Sequence, residues 1–222
     1  MDDDCVVPAD VFNQYREIIE ATDDQSLGAI YGPVTFQGTV THSFKAYRHT
    51  PFLRGFRVAA EHPSPEWGVT ANAMFSRAAV LTVGNFDESN PAPVSGEDVD
   101  IGLRLYKAGY ELLSTSATVS HTTETWNGIS AGLKRSFTYD VSEAWLSSVH
   151  PERREPVLGA NSPTSAALRL LIATPLLPLC VTVWPIVRAI QWRGVSRDEG
   201  EEGTLASYLL ADIYAVANTA GY

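Results

Sequence analysis

The run Leu170 to Val187, LLIATPLLPLCVTVWPIV, holds eighteen residues without a charge between Arg169 and Arg188. A stretch of that length roughly meets the ~17–25 residues needed to cross a ~30 Å hydrocarbon layer, and Trp184 and Trp192 are placed to anchor at an interface. Pro175, Pro178 and Pro185 each remove a backbone donor, so a broken or re-entrant apolar helix stands beside a simple crossing. A buried helix of a water-soluble fold is the third reading. The closing stretch TLASYLLADIYAVANTAGY reads as another apolar helix, interrupted by Asp212. Residues 166–222 are therefore expected to be a hydrophobic, helical, membrane-associated tail, joined through a Pro-, Arg- and Glu-containing linker at 151–165. Any aqueous chemistry falls to residues 1–150.

The full chain of 222 residues is 45% hydrophobic, enough for a sizeable core. Asp and Glu total 26 against 16 Lys and Arg, a formal net charge of -10. That balance argues against nucleic acid as a partner, because phosphate backbones are held by clustered cations. The only lysines are Lys45, Lys107 and Lys134. An acid-rich, lysine-poor composition is what a salt-adapted cytoplasm tends to produce, and acidic solubilisation explains it equally well. Two cysteines, Cys5 and Cys180, sit far apart in unlike surroundings, which argues against a disulfide framework or a cysteine-based zinc site. No basic segment followed by an apolar one opens the chain, so no secretory signal is expected.

Periodicity predicts an α/β order. Pro8 to Ala21 carries Val11, Phe12, Tyr15, Ile18 and Ile19 on one helical stripe. SLGAIYGPVTF reads as a short buried strand ending at Gly32-Pro33. Gly38 to Ala60 is aromatic and ambiguous, with one or more covering helices expected. Glu66 to Ser89 suggests a strand running into a turn at Asn72, a helix from Ser76 to Val83 and a turn at Gly84-Asn85. A helix follows Gly96, with Val99, Gly102, Leu103 and Tyr106 on its inner face and Gly109 as its stop. YELLSTSATVSH reads as one strand ending at His121, before a helix from about Asn127 to Val149.

Three clusters invite a chemical reading, each beside a plain one. Ser95-Gly96-Glu97-Asp98 fits a capping box, in which acidic side chains meet free N–H groups and the positive end of the helix dipole. Asp2, Asp3 and Asp4 crowd the turn before the first helix, a costly arrangement unless solvent or a cation relieves it. Hard divalent ions prefer such oxygens. His121 closes a strand, where a surface or core role is the ordinary one.

Taken in order, DDDCVVPADVF, TANAMFSRAAVLTVGNFDES, SGEDVDIGLRLYKAGYELL and ATVSH resemble the inverting family 2 glycosyltransferases of the GT-A fold, over roughly residues 1–145. The resemblance implies that Asp2 and Asp4 form the Asp-x-Asp motif. With His121 they would bind a divalent metal, Mg²⁺ or Mn²⁺, at the diphosphate of a nucleotide-sugar donor. It implies that Asn72 and Asp87, in a Gly-Asn-Phe-Asp-Glu turn with Asn85 in place of a glycine, lie on the donor or acceptor side. Arg135 is a weaker match for a basic residue there. Asp98 falls at the position of the base, Glu97 beside it, and Asp100 is expected to be a helix-surface charge. A glycan or lipid-linked acceptor is implied, with the chain at a membrane and its catalytic part cytoplasmic. Relatives carry a nucleotide-binding half before the Asp-x-Asp motif. The expected fold is thus a partial GT-A domain over 1–150. The missing half then comes from a longer product or another chain, or the protein is a non-catalytic, membrane-associated remnant that binds a partner.

Overall fold

Leu27 to Tyr31 is a five-residue apolar segment with no exposed position, the signature of a strand covered on both faces. The computed structural model describes residues 2–23, 25–48, 53, 55–92 and 95–152, and in it this strand is the centre of a three-stranded sheet. The elements run β1 (Cys5–Val6), α1 (Val11–Ala21), β2 (Leu27–Tyr31), β3 (Val34–Gln37), α2 (His42–Arg48), α3 (Val58–Glu61), β4 (Ala73–Phe75), α4 (Arg77–Thr82), α5 (Glu97–Lys107), β5 (Glu111–Ser114), β6 (Val119–Thr122) and α6 (Ile129–Val149). Strand β2 pairs antiparallel with β4 and parallel with β5. A second sheet has the order β1-β6-β3, with β1 antiparallel and β3 parallel to β6.

Both sheets lie in one compact unit, residues 1–39 and 53–124. On one side of β2, Leu27 and Ile30 pack with Val11 and Tyr15 of α1 and with Val34, Val69 and Val119. On the other, Ala29 and Tyr31 pack with Ala79 and Val80 of α4 and with Ile101 and Leu105 of α5. Helix α5 approaches so closely that a Cβ on Gly102 would lie 2.6 Å from Cβ of Trp67. A second unit, residues 40–52 and 125–222, contains α2 and α6. Within it, the Thr41 hydroxyl donates to Oδ1 of Asn127 and the Ser43 hydroxyl to the Gly128 carbonyl.

Several expectations are corrected. YELLSTSATVSH is two strands in different sheets: the Thr115 N–H reaches the Tyr31 carbonyl, the Thr115 hydroxyl accepts the Ala117 N–H, and the chain turns between them. Asn72 ends a 3-10 turn at Thr70–Asn72, and the strand follows it as β4. Phe12 and Tyr106, placed on inner faces by periodicity, are 68% and 48% exposed. Helix α5 does stop where Gly109 allows it. Gly109 has φ +87°, its N–H meets the Tyr106 carbonyl, and the Tyr110 N–H meets that of Leu105, a Schellman closure.

No helix among the described residues is long and apolar enough to cross a membrane. The longest, α6, carries Lys134, Arg135, Asp140 and Glu143. The tail at 166–222 and all but the first two residues of the linker at 151–165 lie outside the described residues.

Candidate active site

The two-residue strand β1 gives the acidic N-terminal segment its place. Its register sets Cys5 opposite His121 and Val6 opposite Ser120. His121 Nε2 then lies 3.2 Å from Oδ1 of Asp4 and 3.7 Å from Oδ2 of Asp2. The ring is buried, and its Nδ1 sits 2.9 Å from the Thr122 carbonyl. A carbonyl can only accept, so Nδ1 carries the proton and Nε2 is the atom turned to the carboxylates. The Asp2 carboxylate facing Nε2 holds the imidazole above its ordinary value despite burial, helped by the Thr122 carbonyl and the Asp4 charge. The same pairing with His121 lowers Asp2.

Cys5 joins this group, a member the sequence did not single out. The ligand atoms of Asp4, Cys5 and His121 all lie within 4.8 Å of one another. The Cys5 thiol points at the Ala71 carbonyl, 3.8 Å away. Burial first, and then the charges of Asp2 and Asp4, push it upward, which keeps it a neutral thiol. Its signal in the sequence was adjacency to the aspartates; its partner across the sheet was not visible there.

At the start of α5 an acidic side chain does meet a free helix N–H, as the capping reading expects, with Gly96 and not Ser95 as the N-cap. Gly96 adopts a left-handed conformation, φ +82°. The Asp98 carboxylate accepts the N–H of its neighbour Val99 at 2.8 Å. Burial pushes the Asp98 carboxyl up to about 7, and the charges of Glu97 and Asp2 add to the rise. Glu97 is raised too, by burial and by Asp2, and its Oε2 is buried without a hydrogen-bond partner. Two carboxyls crowded together and partly withdrawn from water share protons reluctantly given up, the condition of a base poised near neutral pH. Asp2 acts electrostatically on both, which links the N-terminal segment with the α5 start.

The remaining residues take different positions. Asn72 has no exposed surface: Oδ1 accepts the Tyr15 hydroxyl at 2.8 Å, and Nδ2 donates to the carbonyls of Pro33 and Ala117. Its main chain also accepts the Gly32 N–H, and a Cβ on Gly32 would collide with its amide. Asn72 thus ties α1, the β2–β3 turn and the β5–β6 connection together. Asp87 is exposed at the tip of a turn, lowered chiefly by the Ser89 N–H that it accepts. Arg135 belongs to the second unit, where its guanidinium lies 3.8 Å above the Trp126 ring and donates to the Thr125 carbonyl.

Asp100 is not the surface charge expected of it. It is 2% exposed and accepts from both Nε and Nη2 of Arg104, at 3.0 and 2.5 Å. Nη1 of Arg104 donates to the carbonyls of Val83 and Asn85, each at 2.7 Å.

Residues 1–190 match the family described as Glycosyl transferase family group 2. No curated protein matches the chain.

Proposed function

The chain belongs to glycosyl transferase family group 2, and from that membership we propose that it moves a sugar from a nucleotide-sugar donor to an acceptor hydroxyl with inversion, Asp98 acting as base. The observation that carries this reading is the Asp98 carboxyl, raised to about 7 beside Glu97 at the mouth of α5. A carboxylate of that strength takes a proton from a hydroxyl as bonding to carbon begins. In the proposed step Asp98 removes the acceptor proton, the oxygen forms its bond to the anomeric carbon, and the bond to the diphosphate breaks with its electron pair leaving on phosphate. Attack from the face opposite the leaving group inverts the carbon. Glu97 keeps Asp98 from ionising too readily.

The donor set at the N-terminus fits a hard divalent cation, Mg²⁺ or Mn²⁺. Asp2 and Asp4 supply oxygens and His121 supplies Nε2, its tautomer fixed by the Thr122 carbonyl. When bound, such an ion neutralises charge on the departing diphosphate. The Cys5 thiol, engaged with Ala71, is left out of the proposed ligand set. Asp87, exposed on its turn, is proposed to meet donor or acceptor, and Asn72 to contribute by fixing the strand connections around the site. The uncharged run at 170–187 supports a membrane location, with the catalytic part cytoplasmic and a glycan or lipid-linked acceptor in the cell envelope.

The test is chemical. Full-length protein in detergent is offered UDP-glucose, UDP-N-acetylglucosamine and GDP-mannose with octyl glycosides as acceptors and Mn²⁺ or Mg²⁺. Proton NMR then reads the anomeric configuration of the product. Inverted product supports the proposal, while retained configuration, or no transfer from any donor, contradicts it.

A further inference from the structure

We propose that Asp100 and Arg104 are positioning residues for the acceptor, locking the exposed turn at 84–89 to the helix that carries Asp98. The inference rests on the reading of Asp98 as the base and names how its acceptor side is built. Arg104 and Asp100 form an i,i+4 pair on α5, but the pair differs from an ordinary surface bridge in two ways. Asp100 is buried, and the remaining fork of the guanidinium is turned to main-chain carbonyls of another segment. Val83 closes α4, where helix carbonyls lack intrahelical partners, and Asn85 lies just past it. The planar guanidinium makes four hydrogen bonds here from three nitrogens; an ammonium has three donors on one nitrogen and cannot reproduce that fork.

The segment so gripped is sharply shaped. Gly84 and Asn85 have φ of +92° and +66°, and Asn85 is the only non-glycine with positive φ among the described residues. The Asn85 N–H reaches the Val80 carbonyl and the Gly84 N–H that of Leu81. At the far end, Asn90 is buried, donates to the Ser95 carbonyl and accepts the Ala92 N–H. Between these fixed points residues 84–89 are exposed, with Phe86 resting edge-on against Phe75 at 5.9 Å and Asp87 at the tip. Arg104 is six residues along α5 from Asp98, about 9 Å on the helix axis at 1.5 Å per residue. The clamp thus makes the turn and the base parts of one rigid body, and an acceptor whose hydroxyl meets Asp98 meets the turn at a fixed offset.

The experiment compares full-length wild type with Arg104→Lys, which keeps the charge beside Asp100, and with Asp100→Asn. Hydrogen exchange of the Gly84, Asn85 and Ser89 amides is read together with kinetics, using the three nucleotide-sugar donors and octyl glycosides named above. The clamp predicts faster exchange at these amides and an acceptor KM raised roughly tenfold or more, with donor KM within about twofold. The midpoint of the pH–rate profile stays in place. Unchanged exchange and unchanged acceptor KM in an active chain overturn the positioning role alone. So does a parallel fall in kcat and thermal stability without a split between acceptor and donor, since that marks a purely structural pair. A wild type that transfers from none of the donors removes the base assignment and the positioning role with it.

Discussion

His121 Nε2 lies 3.2 Å from Oδ1 of Asp4 because the antiparallel register of β1 on β6 sets Cys5 opposite His121. An imidazole whose Nδ1 is committed to a carbonyl, facing two carboxylates, is either an imidazolium in ion pairs or half of a cation site. The two differ in their response to metal. Mn²⁺ is expected to raise the thermal midpoint of the chain, and His121→Ala or Asp4→Asn to weaken that binding by roughly tenfold or more. Because Asp2 holds His121 above its ordinary value, binding must displace a proton and should weaken as pH falls. Calorimetric titration with Mn²⁺ at two pH values checks both the affinity and its sign.

Asn72 predicts a stability effect. Its amide accepts from Tyr15 and donates to Pro33 and Ala117 with no exposed surface, so truncation strands the Tyr15 hydroxyl and the Ala117 carbonyl, while the Pro33 carbonyl keeps the Val119 N–H. Asn72→Ala should lower stability by about 2 kcal/mol or more, at about 1–3 kcal/mol for each buried group left unpaired. Urea unfolding measures it, and a loss under about 1 kcal/mol contradicts the role.

Asn85 explains a departure from the pattern that the sequence resembles. A glycine is expected there, and the φ of +66° shows why asparagine serves: it is the side chain that best tolerates left-handed backbone. Asn85→Gly should change stability by less than about 0.5 kcal/mol, whereas Asn85→Val should cost about 1–2 kcal/mol. Thermal melts of the two variants distinguish them.

What was legible in the sequence is what depends on neighbours along the chain. Helix α5 could be bounded from Gly96 and Gly109, and β2 from a short apolar run, because backbone preference and periodicity are local. Pairing is not. Nothing between Cys5 and His121 in sequence announces that they face each other, so the thiol at the His121 cluster was invisible while Asp2, Asp4 and His121 were not. Asp100 was misjudged because its partner at i+4 is visible in sequence but its burial is not; burial depends on which segments pack against α5. Tyr106 and Phe12 show the converse: helical spacing marks a face, and packing decides how far that face is covered.

The raised carboxyl of Asp98 has a thermodynamic signature. Folding raises it from 3.8 to about 7, so the folded state binds the proton more tightly. Its contribution to stability is therefore complete below pH 3.8 and is lost as pH rises through about 7. Glu97 shifts in the same direction. Asp98→Asn, which cannot ionise, should be more stable than the parent at pH 8, with the gap closing towards pH 4. Denaturant midpoints across that range test the sign.

The central claim is that Asp98 takes the acceptor's proton, and Asp98→Asn tests it most directly. The substitution keeps the size and the hydrogen bond accepted from Val99 while removing the basic oxygen. The measurement is kcat/KM for transfer to an octyl glycoside by the full-length variant at pH 8, beside donor affinity. The account predicts a loss of roughly 10²-fold or more with donor binding and fold intact. Transfer within a few-fold of the parent would contradict it.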